Sequence, residues 1–153
     1  MNFLKKFFLF FLLLIAVVML VPVSVIRIEF GDNACYYFLG SNSTLEISYT
    51  HSVSLTKVVD IYRISNDGIF AVEERWQEFL AGQPLDFNYR AGSFYVKKMN
   101  KFLGKNWEYW FIPINNATIK INDKIVFVQP KEDGIMKIEI GRIPILLIIS
   151  RRC

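Results

Sequence analysis

Leu45-Glu46-Ile47-Ser48-Tyr49-Thr50-His51, followed after a short break by Val58-Val59-Asp60-Ile61-Tyr62-Arg63-Ile64, largely alternates apolar and polar side chains. A two-residue period in Ile, Val, Tyr and Thr marks half-buried strands, because successive side chains of an extended chain point to opposite faces. Outward from this pair the pattern recurs at residues 25–30, 69–76, 93–98, 109–113, 118–121, 124–128 and 135–140. Turn formers separate these segments: Gly40-Ser41-Asn42-Ser43, Ser65-Asn66-Asp67-Gly68 and Asn122-Asp123, the last suited to a tight primed hairpin turn. After Ile26 no stretch keeps a helical apolar stripe for several turns. Residues 73–80 could start a helix, but Ala81-Gly82-Gln83-Pro84 stops it. The expected fold is all-β, an antiparallel sandwich or partly open barrel of about nine to eleven short strands. The apolar run Ile145–Ser150 is too short to cross a membrane and is expected as a buried final strand.

The composition, 53% hydrophobic and 21% charged over 153 residues, excludes intrinsic disorder. Much of the apolar surplus lies in residues 7–23, which carry no charge and follow Lys5 and Lys6. The uncharged stretch continues to Ile26, which predicts one N-terminal transmembrane helix, with residues 4–26 in the cytoplasmic membrane. Lys5 and Lys6 place the N-terminus in the cytoplasm and the domain outside. A cleaved signal would need a small-x-small site, and the exit Val21-Pro22-Val23 offers none. The expected division is residues 1–26 as membrane anchor and 27–153 as an extracytoplasmic β-domain. Beyond Ile26 there are 16 basic and 14 acidic residues, so no nucleic-acid partner is expected. Cys35 and Cys153 leave open a disulfide, permitted in an oxidising compartment. The favoured reading is two unpaired thiols, with Cys35 inside a strand and Cys153 in a frayed terminus.

His51 is the only histidine, so no multi-histidine metal site can form, and neither metal nor cofactor is expected. It could act as a general base beside a carboxylate if the strands place Tyr49, Asp60 and Glu73 in one cross-strand row. Ser52 cannot pair with it as a nucleophile, because adjacent strand residues face opposite ways. The plainer reading has His51 ending a strand and bonding to a loop carbonyl. Glu73-Glu74-Arg75 reads as a solvated strand edge with Arg75 paired locally. Lys97, Lys98, Lys101 and Lys105 read as a lysine-guarded edge, with Trp107 and Trp110 towards the core or a headgroup boundary. The candidate binding residues are Tyr49, Thr50, His51, Ser52, Asp60, Glu73 and Arg75. Phosphate-cradling glycine loops, CxxC, GxSxG and HExxH motifs do not occur.

The run Leu45 to Val53, with Tyr49-Thr50-His51-Ser52-Val53 at its centre, resembles the domain of unknown function 1850 family, as does the strand Thr56 to Ile64 that follows. Glu73-Glu74-Arg75 and Glu78-Phe79-Leu80-Ala81-Gly82-Gln83-Pro84 resemble that family's Glu-x-Arg and Phe-Gly-Ala-Gly-x-Pro stretches, with Leu80 where the first glycine is usual. The resemblance covers roughly residues 26–150 and implies a small exported or membrane-attached β-domain. It also implies company with TRAP-type (TAXI subclass) solute transporters, so a permease or solute-binding protein is the expected partner. The expected function is a non-enzymatic accessory or binding module at the outer side of the membrane. The alternatives are a hydrolase using His51 with Asp60 or Glu73, and a structural surface protein.

Overall fold

The computed structural model of the chain describes residues 3–79 and 84–153. A helix, α1 (Phe3–Met19), precedes β1 (Pro22–Phe30), β2 (Asn33–Phe38), β3 (Ser43–Thr50), β4 (Lys57–Ser65), β5 (Gly68–Trp76), β6 (Tyr89–Ala91), β7 (Phe94–Gly104) and β8 (Asn106–Phe111). A single 3-10 turn (Pro113–Asn115) leads to β9 (Thr118–Ile121), β10 (Lys124–Val128), β11 (Gly134–Pro144) and a short helix, α2 (Ile145–Ser150). The strands form a four-stranded sheet, β2-β1-β11-β8, and a seven-stranded sheet, β10-β9-β3-β4-β5-β7-β6, with antiparallel neighbours throughout. Neither sheet closes on itself. The all-β expectation holds as two facing open sheets.

Alternation decides what each sheet buries. On the smaller sheet Ile26, Ile28 and Phe30 of β1 stand beside Ile140, Ile138 and Met136 of β11. They meet Leu45, Ile47, Ile64, Ile69, Ile119 and Ile121 of the larger sheet in one apolar core. The outer faces carry the charges, with Arg27 between Glu29 and Glu139, and Lys120 2.9 Å from Glu46. The β9–β10 hairpin turns on Asn122 and Asp123, both at positive φ (47° and 65°), as a primed turn requires. Asn122 also fixes the hairpin to its neighbour: its Oδ1 accepts from the Thr44 amide at 2.9 Å.

Several expectations change. Two strands lie outside the predicted set, β2 after the Gly31-Asp32 turn and the three-residue β6, which carries no periodic signal. Cys35 and Cys153 form a disulfide rather than staying unpaired, because β2 and the chain end run side by side through Tyr36 and Arg152. Residues 145–150 are helical, not a buried strand. Pro144 stands opposite Pro22, the first residue of β1, so beyond it no strand is available and the chain bonds to itself. Residues 22–26, assigned to the anchor from their apolarity, pair with β11 and belong to the sheet. Helix α1 keeps 17 residues, none buried, and no helix among the described residues is long and apolar enough to cross a membrane. The Leu80–Gln83 turn, with the leucine in the glycine position, lies outside the described residues.

Candidate functional site

Strand register brings the polar groups of the larger sheet together. In β4, Asp60 faces the opposite sheet along with Val58, Tyr62 and Ile64, and it is only 8% exposed. Its neighbours across the strands are Ile47 on β3 and Glu74 on β5, and Lys97 on β7 follows Glu74. From the facing sheet, Tyr109 of β8 donates its hydroxyl to Asp60 Oδ2 at 2.6 Å and also meets the Tyr62 hydroxyl. Tyr49, diagonal to Asp60, packs edge-on against the Tyr109 ring at 6.2 Å between centroids. The core thus has a polar centre where the two sheets meet.

This centre is open to solvent on one side. A cleft of about 270 Å³ is bounded by Asp60, Glu73, Glu74, Tyr62, Tyr109, Trp107 and Lys101. The Trp107 indole N–H is buried there and finds no partner among the described residues. Lys97 is engaged by Asp86, and Asp60 forms no ion pair among the described residues.

Burial pushes the Asp60 carboxyl up to about 6, against the downward pull of the Tyr109 hydroxyl. Glu74 is pushed up to about 7, first by burial and then by the nearby Asp60 charge, with Lys97 opposing. Tyr49, Tyr62 and Tyr109 are all held above the usual phenol range, chiefly by burial and next by Asp60. These phenols therefore remain neutral, and the Tyr109 hydroxyl donates to Asp60.

The expected row of Tyr49, Asp60 and Glu73 forms differently. A bulge between Ala71 and Glu73 shifts the register, so Glu74 rather than Glu73 joins Asp60. Glu73 still borders the cleft, where Arg75 Nε binds it at 2.5 Å and the Tyr89 hydroxyl lies at 3.4 Å. The local pairing of Arg75 is present, but β5 is an interior strand between β4 and β7, not an edge. The lysines at 97, 98 and 101 lie on β7, which β6 pairs as far as Val96, and beyond it the Lys98 amide donates to Asn88 Oδ1 at 2.7 Å.

His51 stands apart from the carboxylates in hydrogen bonding. Its Nδ1 accepts from the Val53 and Ser54 amides at 3.4 and 3.3 Å and lies 3.2 Å from the Ser54 hydroxyl. Its backbone closes the same loop, donating to Thr56 O and accepting from the Leu55 amide. The partners are loop donors rather than the expected carbonyl. Thr50 contributes its carbonyl, which accepts from Asn115 Nδ2 at 2.7 Å. Ser52 and His51 border a separate hollow of about 200 Å³ with Tyr49, Tyr109, Trp110 and Asn115.

Tyr62, Glu74, Lys101, Trp107 and Tyr109 are cleft residues absent from the sequence-derived set. The alternation Trp107-x-Tyr109-x-Phe111 signals a buried aromatic face, but only the inter-sheet packing shows what that face meets. Buried Gln129 is a further structural polar group: it accepts from the Ala117 amide and donates to Ile112 O and Glu132 O, holding the β8–β9 connection.

Among the described residues no group of three or more His, Cys, Asp or Glu side chains converges on a metal position. Neither a curated protein nor a solved structure matches this chain. Most of β3, the whole of β4, the Asp60–Glu74 row and the β9–β10 hairpin as far as Phe127 fall within residues 45–127, which match the family described as Domain of unknown function (DUF1850), and the chain belongs to that family.

Proposed function

We propose that the chain is a non-enzymatic binding module, attached by α1 to the outer side of the cytoplasmic membrane and accessory to a TRAP-type transporter. The inter-sheet cleft is its ligand site, and the ligand carries an organic cation. One observation carries this reading: Asp60, nearly fully buried, has a phenol as its hydrogen-bond partner and no basic partner among the described residues. A buried carboxylate without a counter-charge is costly, and an ammonium group would supply that charge. Trp107, Tyr62 and Tyr109 give the cleft an aromatic lining, a side-chain class that favours cations.

The anchor reading draws on α1, none of whose residues is buried and whose phenylalanines and leucines are all exposed. At 1.5 Å per residue its 17 residues reach roughly 25 Å, near the short limit for a span. The Cys35–Cys153 disulfide suits an oxidising compartment. The transporter association rests on what the family resemblance implies.

The test is a titration of the full chain in detergent micelles with butylammonium, tetramethylammonium and acetate at pH 8 and pH 5. Cation binding at pH 8 that weakens at pH 5 and disappears in Asp60→Asn is the expected result. Acetate binding instead, or no binding by any probe, would overturn the cleft assignment. Recovery of a transporter subunit with the tagged chain from solubilised membranes tests the partner.

A further inference from the structure

Where α1 ends, the molecule presents a second apolar element. The Val21 carbonyl, between α1 and β1, accepts from the amide of Ile145, the first residue of α2. Both helices therefore leave the sandwich at one end of the paired β1 and β11 strands, and they are in contact. Within α2 only Ile148 is buried. Leu146, Leu147 and Ile149 are 52%, 48% and 61% exposed, on the sides that Ile148 does not use. Exposed Arg151 and Arg152 follow directly. Arg142, also at this end, donates to Pro22 O.

We propose that α2 is an interfacial foot: its leucine and isoleucine side chains seat in the headgroup layer of an anionic bilayer, with Arg151, Arg152 and Arg142 on lipid phosphates. The proposal rests on the membrane attachment of α1 and extends it. An apolar helix face rimmed by arginines is the composition of an in-plane membrane segment. Its position beside the exit of α1 puts it at bilayer depth once α1 is inserted. The occupant is thus lipid rather than a soluble partner, because any surface this close to α1 is already in the headgroup region. The backbone bridge to Tyr36 and the disulfide to Cys35 hold the foot against β2. Two attachments, α1 and α2, fix how the sandwich stands on the membrane, where α1 alone would leave it to swivel.

The experiment uses the full chain in phosphatidylcholine–phosphatidylglycerol vesicles, with p-benzoylphenylalanine placed singly at Leu12, Leu147 or Ile135. Ile135 is an exposed position at the opposite end of β11. Irradiation should give lipid adducts at Leu12 and Leu147 and none at Ile135. Adducts at Leu12 without adducts at Leu147, or adducts from Leu147 to protein alone, would overturn the foot and leave the anchor standing. No lipid adduct at Leu12 or Leu147 would remove the anchor and the foot together. A charge test adds a second readout: Arg151→Glu with Arg152→Glu should reduce the Leu147 adduct in anionic vesicles while leaving the Leu12 adduct unchanged. An unchanged Leu147 yield would remove the arginines from the proposal.

Discussion

Asp60 concentrates the physical tension of the molecule in one side chain. Folding removes it from water without giving it an ion-pair partner among the described residues, so the folded state holds a proton more tightly than the unfolded chain. For Asp60 at about 6 and Glu74 at about 7, this stabilisation is complete below the unfolded carboxylate range near 4. It is lost as pH rises through 6 to 7. Of the groups facing Asp60, Tyr49, Tyr62 and Tyr109 stay neutral, with the Tyr109 hydroxyl drawing the carboxyl partly back down, Glu74 is a second acid, and Lys97 is engaged by Asp86. The domain is therefore expected to unfold at lower denaturant concentration at pH 8 than at pH 5. Asp60→Asn keeps an acceptor for Tyr109 and removes the charge, so it should stabilise the domain at pH 8 by about 1–3 kcal/mol and flatten the pH slope. Urea titrations across that range check it, and a steeper slope in the variant would count against the account. The sequence singled out Asp60 from its place in an apolar-alternating strand. It could not show that Glu74, not Glu73, would stand beside it, because one bulge in β5 inverts which of two adjacent glutamates faces inward.

At the scale of elements, strands were legible wherever side chains alternate, and the Asn122-Asp123 hairpin was legible from its turn residues alone. What alternation cannot show is how a chain end resolves. Residues 145–150 form a continuous apolar run, equally consistent with strand and helix by period, and the missing neighbour beyond Pro22 decides for helix. The β3–β4 corner belongs to this scale too, since His51 ties the loop that turns one strand into the next. His51→Ala removes the acceptor for the Val53 and Ser54 amides, both within reach of water, so the cost should be about 0.5–1.5 kcal/mol. The melting temperature should fall by a few degrees, at about 4 °C per kcal/mol for a domain of this size. His51→Asn offers an acceptor at a similar position and should recover most of the loss. Butylammonium binding in the cleft should be unaffected in both variants. Loss of that binding in a folded His51→Ala chain would move His51 from a loop-holding to a ligand-binding role.

At the scale of the whole molecule, the disulfide connects places that the fold would otherwise join weakly. Cys35 lies on β2, an edge strand of the smaller sheet, and Cys153 lies 118 positions away with α2 just before it. Closing so long a loop restricts the unfolded chain by up to about 4–5 kcal/mol in the chain-entropy picture. In the native state the same bond holds a tail whose other attachments include buried Ile148, the Ile145 amide on the Val21 carbonyl, and the backbone bonds among Tyr36, Arg151 and Cys153. Reduction should therefore act in two stages. The tail should loosen first, because few buried contacts oppose it, while Ile26, Ile28, Ile138 and Ile140 keep the two strands they belong to paired and covered. The sandwich should then unfold at lower denaturant concentration, by less than the full entropic figure, since its reduced native state already includes a freed tail. Hydrogen exchange with and without a reducing agent separates the stages: residues 145–153 should lose protection at once and β1 and β11 should retain it. Simultaneous loss of protection across β1, β11 and α2 would mean that the disulfide holds up the smaller sheet itself rather than the tail alone.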